Sequence, residues 1–226
     1  MRIPLQQLTG VQEFMGLEFY VNEHVLIPRQ DTETLVELIL NEHKEKNISL
    51  LDVCTGSGCI AVSLAKLGGY ADVTALDLSE EALKVAKSNG EKLLDHPVKF
   101  IKSDMFSALD PENRYDVIVS NPPYIPSQVI EGLEPEVRDH EPRLALDGSP
   151  DGLKFYRILA SEGKRFLRPG GSVYFEIGWD QAQAVSALLE REGFTQIRTV
   201  KDMAGLDRVV GAVLGAAADN GHQAPG

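Results

Sequence analysis

The stretch Ser49-Leu50-Leu51-Asp52-Val53-Cys54-Thr55-Gly56-Ser57-Gly58-Cys59-Ile60-Ala61 runs from an apolar segment through a glycine-rich turn into a helical pattern. Glycine is favoured where a backbone turns tightly and approaches a ligand closely, because a Cβ would collide there. The segment therefore reads as a strand over 49–54, a nucleotide-cofactor loop, and a helix over 58–67. On the C-terminal side, short apolar runs alternate with segments whose apolar residues recur at three- and four-residue spacing. That alternation predicts parallel strands joined by crossover helices. Further strands are expected over 72–78, 98–103, 115–120 and 172–177, with helices over 31–45, 151–166 and 181–192. Ser79 is expected to cap a helix running to Leu94, with Glu80 and Glu81 at the positive end of its dipole. The segments 195–200 and 208–214 read as two strands ending the chain in a hairpin. The fold class is α/β: a doubly wound, mostly parallel seven-stranded Rossmann-like sheet with a C-terminal antiparallel hairpin.

The 226 residues are 43% hydrophobic and 25% charged, near the averages for a globular protein. The expected organisation is a linker and small hairpin over 1–30, the hairpin itself over 15–27, then one main domain over 31–214. A tail of small and polar residues over 215–226 is expected to be disordered. No stretch approaches the roughly 18 uninterrupted apolar residues of a membrane helix, and the N-terminus has no basic segment followed by an apolar run. A monomeric cytoplasmic enzyme without a membrane partner is the expectation. Cys54 and Cys59 flank the glycine turn with no further cysteine to complete a zinc site, so both read as free thiols and no metal is expected. The formal charge of −12, with Lys and Arg scattered through the chain, argues against direct nucleic-acid binding, which draws on basic clusters. It favours a basic or neutral partner.

Asp77 ends the second expected strand about 20 residues beyond the loop, where a carboxylate can accept hydrogen bonds from both ribose hydroxyls. Gly56-x-Gly58-x-x-Ala61 also satisfies the loose dinucleotide fingerprint, so an NAD-dependent oxidoreductase is a rival reading. Asp52 discriminates: a carboxylate at the strand end repels a pyrophosphate and suits the ammonium of a methionine moiety. The second constellation is Asn121-Pro122-Pro123-Tyr124, which follows the apolar strand 115–120. Its prolines fix the backbone and lack N–H groups, leaving carbonyls free to accept from elsewhere. An amide NH2 has two donors, and Asn121 Oδ1 with the Pro122 carbonyl can take both. Among other residues, His140 reads as a loop contact, Glu176 as a buried hydrogen-bonding partner and Trp179 as packing.

Taken together, these segments resemble the protein-(glutamine-N5) methyltransferases of the HemK/PrmC type, which modify the Gln of the Gly-Gly-Gln loop in peptide chain release factors. The resemblance spans nearly the whole chain and includes Pro4-Leu5-Gln6-Gln7, Gly16-Leu17-Glu18-Phe19, Ile27-Pro28-Arg29, Asp31-Thr32-Glu33, both loops, Glu141-Pro142 and Glu176-Ile177-Gly178. It implies S-adenosylmethionine as cofactor and a release factor as protein substrate. It also implies that Thr55, Gly56, Ser57 and Gly58 line the methionine end, with Asp52 and Cys54 among the residues that bind the cofactor. Asp77 and Leu78 would hold the ribose, and Asp104, Met105 and Phe106 would flank the adenine. Arg29 and Thr32 would close the pocket, Asn121 and Pro122 would bind the acceptor amide beside Pro123, and Tyr124 would pack over it. The chain departs from the family pattern at Gln30, where Pro is usual, at Cys54, where Gly is usual, and at Met105, often aromatic. The family usually carries a helical domain before the Pro-Leu-Gln segment, which here begins at residue four. Asn-Pro-Pro-Tyr is shared with DNA adenine methyltransferases, so an adenine-N6 enzyme is an alternative within the class; a catalytically silent binding module is another outside it.

Overall fold

A computed structural model describes residues 3–215. A short helix α1 (Leu5–Thr9) precedes a hairpin of β1 (Val11–Phe14) and β2 (Leu17–Tyr20). The main unit follows as α2 (Gln30–Glu42), β3 (Ser49–Val53), α3 (Cys59–Gly68), β4 (Asp72–Asp77), α4 (Glu80–Leu93), β5 (Lys99–Lys102) and β6 (Tyr115–Ser120). Three single-turn helices come next: α5 (Ser127–Ile130), α6 (Pro135–Arg138) and α7 (Arg143–Leu146). The chain continues through α8 (Lys154–Gly163), a 3-10 turn, β7 (Leu167–Glu176) and α9 (Ala182–Arg191), then β8 (Phe194–Lys201) and β9 (Asp207–Leu214).

The seven-stranded sheet has the order β5-β4-β3-β6-β7-β9-β8. Strands β5 to β7 pair in parallel, and β9 runs antiparallel to both β7 and β8. The expected doubly wound sheet and terminal hairpin are both present. Every residue of β3 is buried, as expected for a central strand covered by helices on both faces. Side-chain alternation sorts the core into two layers. Leu51, Val53 and Ile118 join Tyr156, Leu159 and Val185 under α8 and α9, whereas Leu50, Val117 and Val119 join Leu35, Ile39 and Leu64 under α2 and α3. Ser79 caps α4 as read from sequence, its hydroxyl accepting from the Ala82 N–H at 3.1 Å.

Four elements depart from the sequence reading by more than one residue. The small hairpin lies over Val11–Tyr20 instead of 15–27, because Met15 and Gly16 (φ 53° and 71°) form the two-residue turn itself. Helix α8 begins at Lys154 because Gly152 is left-handed (φ 71°), and it stops short of the expected 166 in the 3-10 turn. Strand β7 starts at Leu167, which pairs with Tyr115 ahead of a bulge that re-enters register at Ser172. Helix α2 ends at Glu42. The expected tail 215–226 lies, apart from Gly215, outside the described residues.

Candidate active site

Strand β3 runs to Val53 and strand β4 continues the sheet on one side while β6 continues it on the other, so the chain order reverses at β3. Ligands in open α/β sheets bind outside the carboxyl ends of the strands at such a reversal. An open-mouthed cavity lies there. Its wall includes Arg29, Thr32, Cys54, Thr55, Gly56, Ser57, Asp77, Leu78, Asp104, Met105, Asn121 and Pro123 from among the residues singled out by sequence.

The β3–α3 loop supplies one side of this cavity. Cys54, Gly56 and Gly58 all have positive φ (64°, 56° and 79°), so the turn is left-handed at alternate residues. A Cβ on Gly58 would lie 3.0 Å from that of Ala86 in α4, so this glycine is fixed by helix packing as well as by φ. Gly58 accordingly sits behind the wall. Asp77 is woven into the same loop: its Oδ2 accepts from the Gly56 N–H and its Oδ1 from the Ser79 N–H, each at 2.8 Å. Burial raises the Asp77 pKa, opposed by those amides and that of Leu78. A carboxylate has about four acceptor sites, so each oxygen keeps capacity for a ligand hydroxyl.

Asp52 is fully buried and does not reach the cavity surface. Its Oδ2 accepts from the Thr55 hydroxyl at 2.6 Å, and it is Thr55 that faces the cavity. Burial pushes its carboxyl up to about 7, against the pull of Thr55 and the Ala61 amide. The direct carboxylate–ammonium contact inferred from sequence thus becomes a contact one layer removed. Phe106 is likewise behind the wall, stacked on Phe166 with centroids 5.3 Å apart, while Met105 lines the cavity with its sulfur 4.0 Å from that of Cys54.

The Asn121-Pro122-Pro123-Tyr124 loop leaves β6 beside the cavity. Asn121 Nδ2 donates to Thr32 Oγ1 of α2 at 3.4 Å. Pro122 is buried and Tyr124 is turned away from the cavity, its hydroxyl donating to Glu176 Oε1 at 3.3 Å. Glu176 is therefore the buried partner read from sequence. The Tyr124 carbonyl accepts from Gln181 Nε2 at 3.0 Å. A Cβ on Gly152 would lie 2.4 Å from that same carbonyl oxygen, so backbone packs on backbone behind the loop. Gly152→Ala is expected to force this contact apart while adding a side chain at φ 71°, which alone costs about 1–2 kcal/mol. Thermal unfolding should show a midpoint lowered by several degrees; an unchanged midpoint would mean the loop is not held from behind.

Segments without a local signature complete the site. His24, Val25 and Leu26, from the stretch before α2, and Leu144, Ala145 and Phe155, after the Asn121 loop, line the cavity. These two regions are tied together by Arg29, whose Nη2 donates to both Glu141 oxygens at 2.7 and 2.8 Å. Glu141 is buried, which raises its pKa, and the Arg29 guanidinium opposes that rise. Gln7 of α1 donates to the His140 carbonyl at 2.7 Å, so His140 is a loop contact through its backbone. Trp179 is 63% exposed, which corrects its reading as a packing residue. Among the described residues no cluster suited to a metal is present, and no helix is long and apolar enough to cross a membrane.

Residues 30–132 match the model of the Methyltransferase small domain family. The release factor glutamine methyltransferase of Clostridium acetobutylicum is 45% identical over 95% of this chain and 76% of its own length. The solved release-factor-specific protein-(glutamine-N5) methyltransferase of Alicyclobacillus acidocaldarius is 32% identical, with a TM-score of 0.52 over 87% of this chain and 99% of that one. A 16S rRNA N2 G1207 methyltransferase of T. thermophilus, solved with AdoMet and guanosine, shares the fold at 21% identity, with a TM-score of 0.62 over 90% of this chain and 49% of that one.

Proposed function

Because the chain belongs to the release factor glutamine methyltransferase family, we propose that it transfers a methyl group from S-adenosylmethionine to the side-chain amide nitrogen of the Gly-Gly-Gln glutamine of a peptide chain release factor. The observation that carries this reading is the placement of Asn121 at the rim of a cavity built by the glycine loop and Asp77. An amide-orienting loop and the cavity open onto one another there. The NAD reading is displaced by the family. The adenine-N6 reading is disfavoured by the chain's charge of −12.

The cavity fits the cofactor's parts. Asp77 offers carboxylate acceptors for a ribose, Leu76, Leu78, Met105 and Phe155 offer apolar surface for a purine, and Gly56 leaves the backbone uncovered for the methionine end. Bound, S-adenosylmethionine supplies an electrophilic methyl on a sulfonium whose charge is discharged on transfer. The chain's own work is alignment. Asn121 Oδ1 and the Pro122 carbonyl accept the two amide protons of the acceptor, so the nitrogen is held along one line. Held reactants gain on the order of 7–11 kcal/mol over free encounter, enough to compensate for a weak neutral nucleophile. The methylated amide nitrogen is strongly acidic until it loses a proton, so no dedicated base is required.

Peptide release takes place in the cytoplasm, where this reading puts the enzyme. The test is transfer of labelled methyl from S-adenosylmethionine to a purified release factor, beside a control factor whose Gly-Gly-Gln glutamine is replaced. Label on the intact factor alone is the expected result. Equal label on both would mean that another residue is the acceptor.

A further inference from the structure

We infer that Glu176, which touches neither cavity nor acceptor, is a positioning residue that fixes which end of the Asn121 side-chain amide faces the acceptor. The inference rests on the acceptor role proposed for Asn121. Tyr124 and Asn121 of one loop and Thr32 of α2 converge on this site. Tyr124 Oη–H donates to Glu176 Oε1 at 3.3 Å, Thr32 Oγ1 accepts from Asn121 Nδ2 at 3.4 Å, and the nearby Thr32 hydroxyl favours the charged form of the Glu176 carboxyl. Glu176 Oε2 is buried and makes no hydrogen bond of its own, so it has capacity for the Thr32 proton. The backbone of Glu176 is anchored, its carbonyl accepting from Tyr156 Oη at 2.7 Å.

A carboxylate only accepts. With Glu176 ionised, Thr32 can meet it only by donating, and so must accept from Asn121. That leaves Nδ2 pointing inward and Oδ1 outward, toward the acceptor N–H. A protonated or amidated side chain at 176 also donates. The Thr32 proton can then turn to Asn121, the amide can flip, and an NH2 group would face the NH2 of the acceptor. The polarity of a buried three-residue relay thereby sets the acceptor geometry at its far end.

Burial pushes the Glu176 carboxyl up to about 7, so the switch between the two polarities falls near neutrality. The charged and titratable groups facing it are Arg208 of β9, Asp31 of α2, Tyr124 of the loop, Tyr156 of α8 and Cys59 of α3. Arg208 favours ionisation and Asp31 opposes it, while burial holds the phenols of Tyr124 and Tyr156 and the thiol of Cys59 in their protonated forms across this range. Arg208 is itself held by Asp202, its Nε 3.0 Å from Oδ2. The carboxylate is the form that orients Asn121, so turnover should rise with pH through a midpoint near 7.

The test compares wild type with Glu176→Gln at saturating cofactor. Loss of one oriented hydrogen bond should lower kcat about tenfold, with cofactor affinity within twofold as measured by calorimetry and the pH step abolished. Thr32→Val should likewise lower kcat and lose the pH step, and Thr32→Ser should retain more turnover than Thr32→Val. A second readout needs no acceptor: the side-chain amide resonance of Asn121, assigned by its absence in Asn121→Asp, should shift with pH around the same midpoint in wild type and stay fixed in Glu176→Gln. A Glu176→Gln enzyme with the wild-type rate and pH profile, or one that loses rate equally at every pH with an unmoved amide resonance, would overturn the inference. If wild type transfers no methyl to the factor, the acceptor reading fails by itself, and the amide resonance still decides the role of Glu176.

Discussion

Asn121→Ala is expected to bind S-adenosylmethionine nearly as well as wild type and to lose about 10²- to 10³-fold in kcat, the range measured when one preorganised polar group that serves the transition state is removed. The half of the cavity proposed for the cofactor is built by residues that do not depend on Asn121: the left-handed turn at Gly56, the Asp77 carboxylate locked by two backbone amides, and the apolar wall at Leu78 and Met105. The half proposed for the acceptor has the opposite character. The Asn121 amide is the one that opens both on the cavity and, through Thr32, on the buried relay, so truncation removes orientation without emptying the cofactor site. Because the missing contact serves alignment, the loss belongs in kcat, with a smaller change in KM for the factor. Single-turnover transfer at saturating cofactor, with calorimetry on the same sample, separates the two halves. Turnover within a few-fold of wild type would remove Asn121 from the acceptor site.

The parts of this architecture that were legible in the sequence are those where one local rule dominates. Strands β3 and β6 are nearly continuous apolar runs because helices cover both faces of the sheet, and the glycine turn between β3 and α3 announces a close backbone approach. Asp77 was found by its distance from that turn. The misses are positions where local pattern and tertiary demand diverge. Met15 looked like the start of a strand, yet with Gly16 it is the turn. Gly152 fell inside an apparent helix, although its conformation and its contact with the Tyr124 carbonyl place the helix start two residues later. The single-turn helices α5, α6 and α7 are too short to show a helical period. His24, Val25, Leu26, Leu144, Ala145 and Phe155 reach the cavity only because the Arg29–Glu141 pair draws their segments together, and no spacing in the sequence marks that. Asp52 shows the reverse limit: the sequence puts a carboxylate at the end of β3, but burial behind Thr55 changes what it touches.

The same logic gives Asp77 a larger role than a ribose contact. Asp77→Ala removes the acceptor proposed for the ribose hydroxyls and releases the Gly56 N–H that holds the loop in its left-handed turn. Hydrogen bonds to a charged group contribute about 1.5–3 kcal/mol each, so losing the ligand bonds alone should weaken S-adenosylmethionine binding about tenfold to a hundredfold. Loss of the Gly56 tether should add to this, because the empty loop would then have to be reordered when ligand binds. Asp77→Asn separates these contributions. It retains one oxygen, so it can satisfy either Gly56 or Ser79 but not both, and its NH2 must face a donor on the other side. Affinity is therefore expected to fall in the order wild type, Asn, Ala, with the Asn variant losing loop order as well as a ligand contact. Calorimetric titration reads the affinities, and hydrogen exchange at the Gly56 amide, measured without ligand, reads the tether. Equal affinity in all three proteins would take Asp77 out of the site, whereas weakened binding with unchanged Gly56 protection would leave it as a ligand contact without a role in shaping the loop.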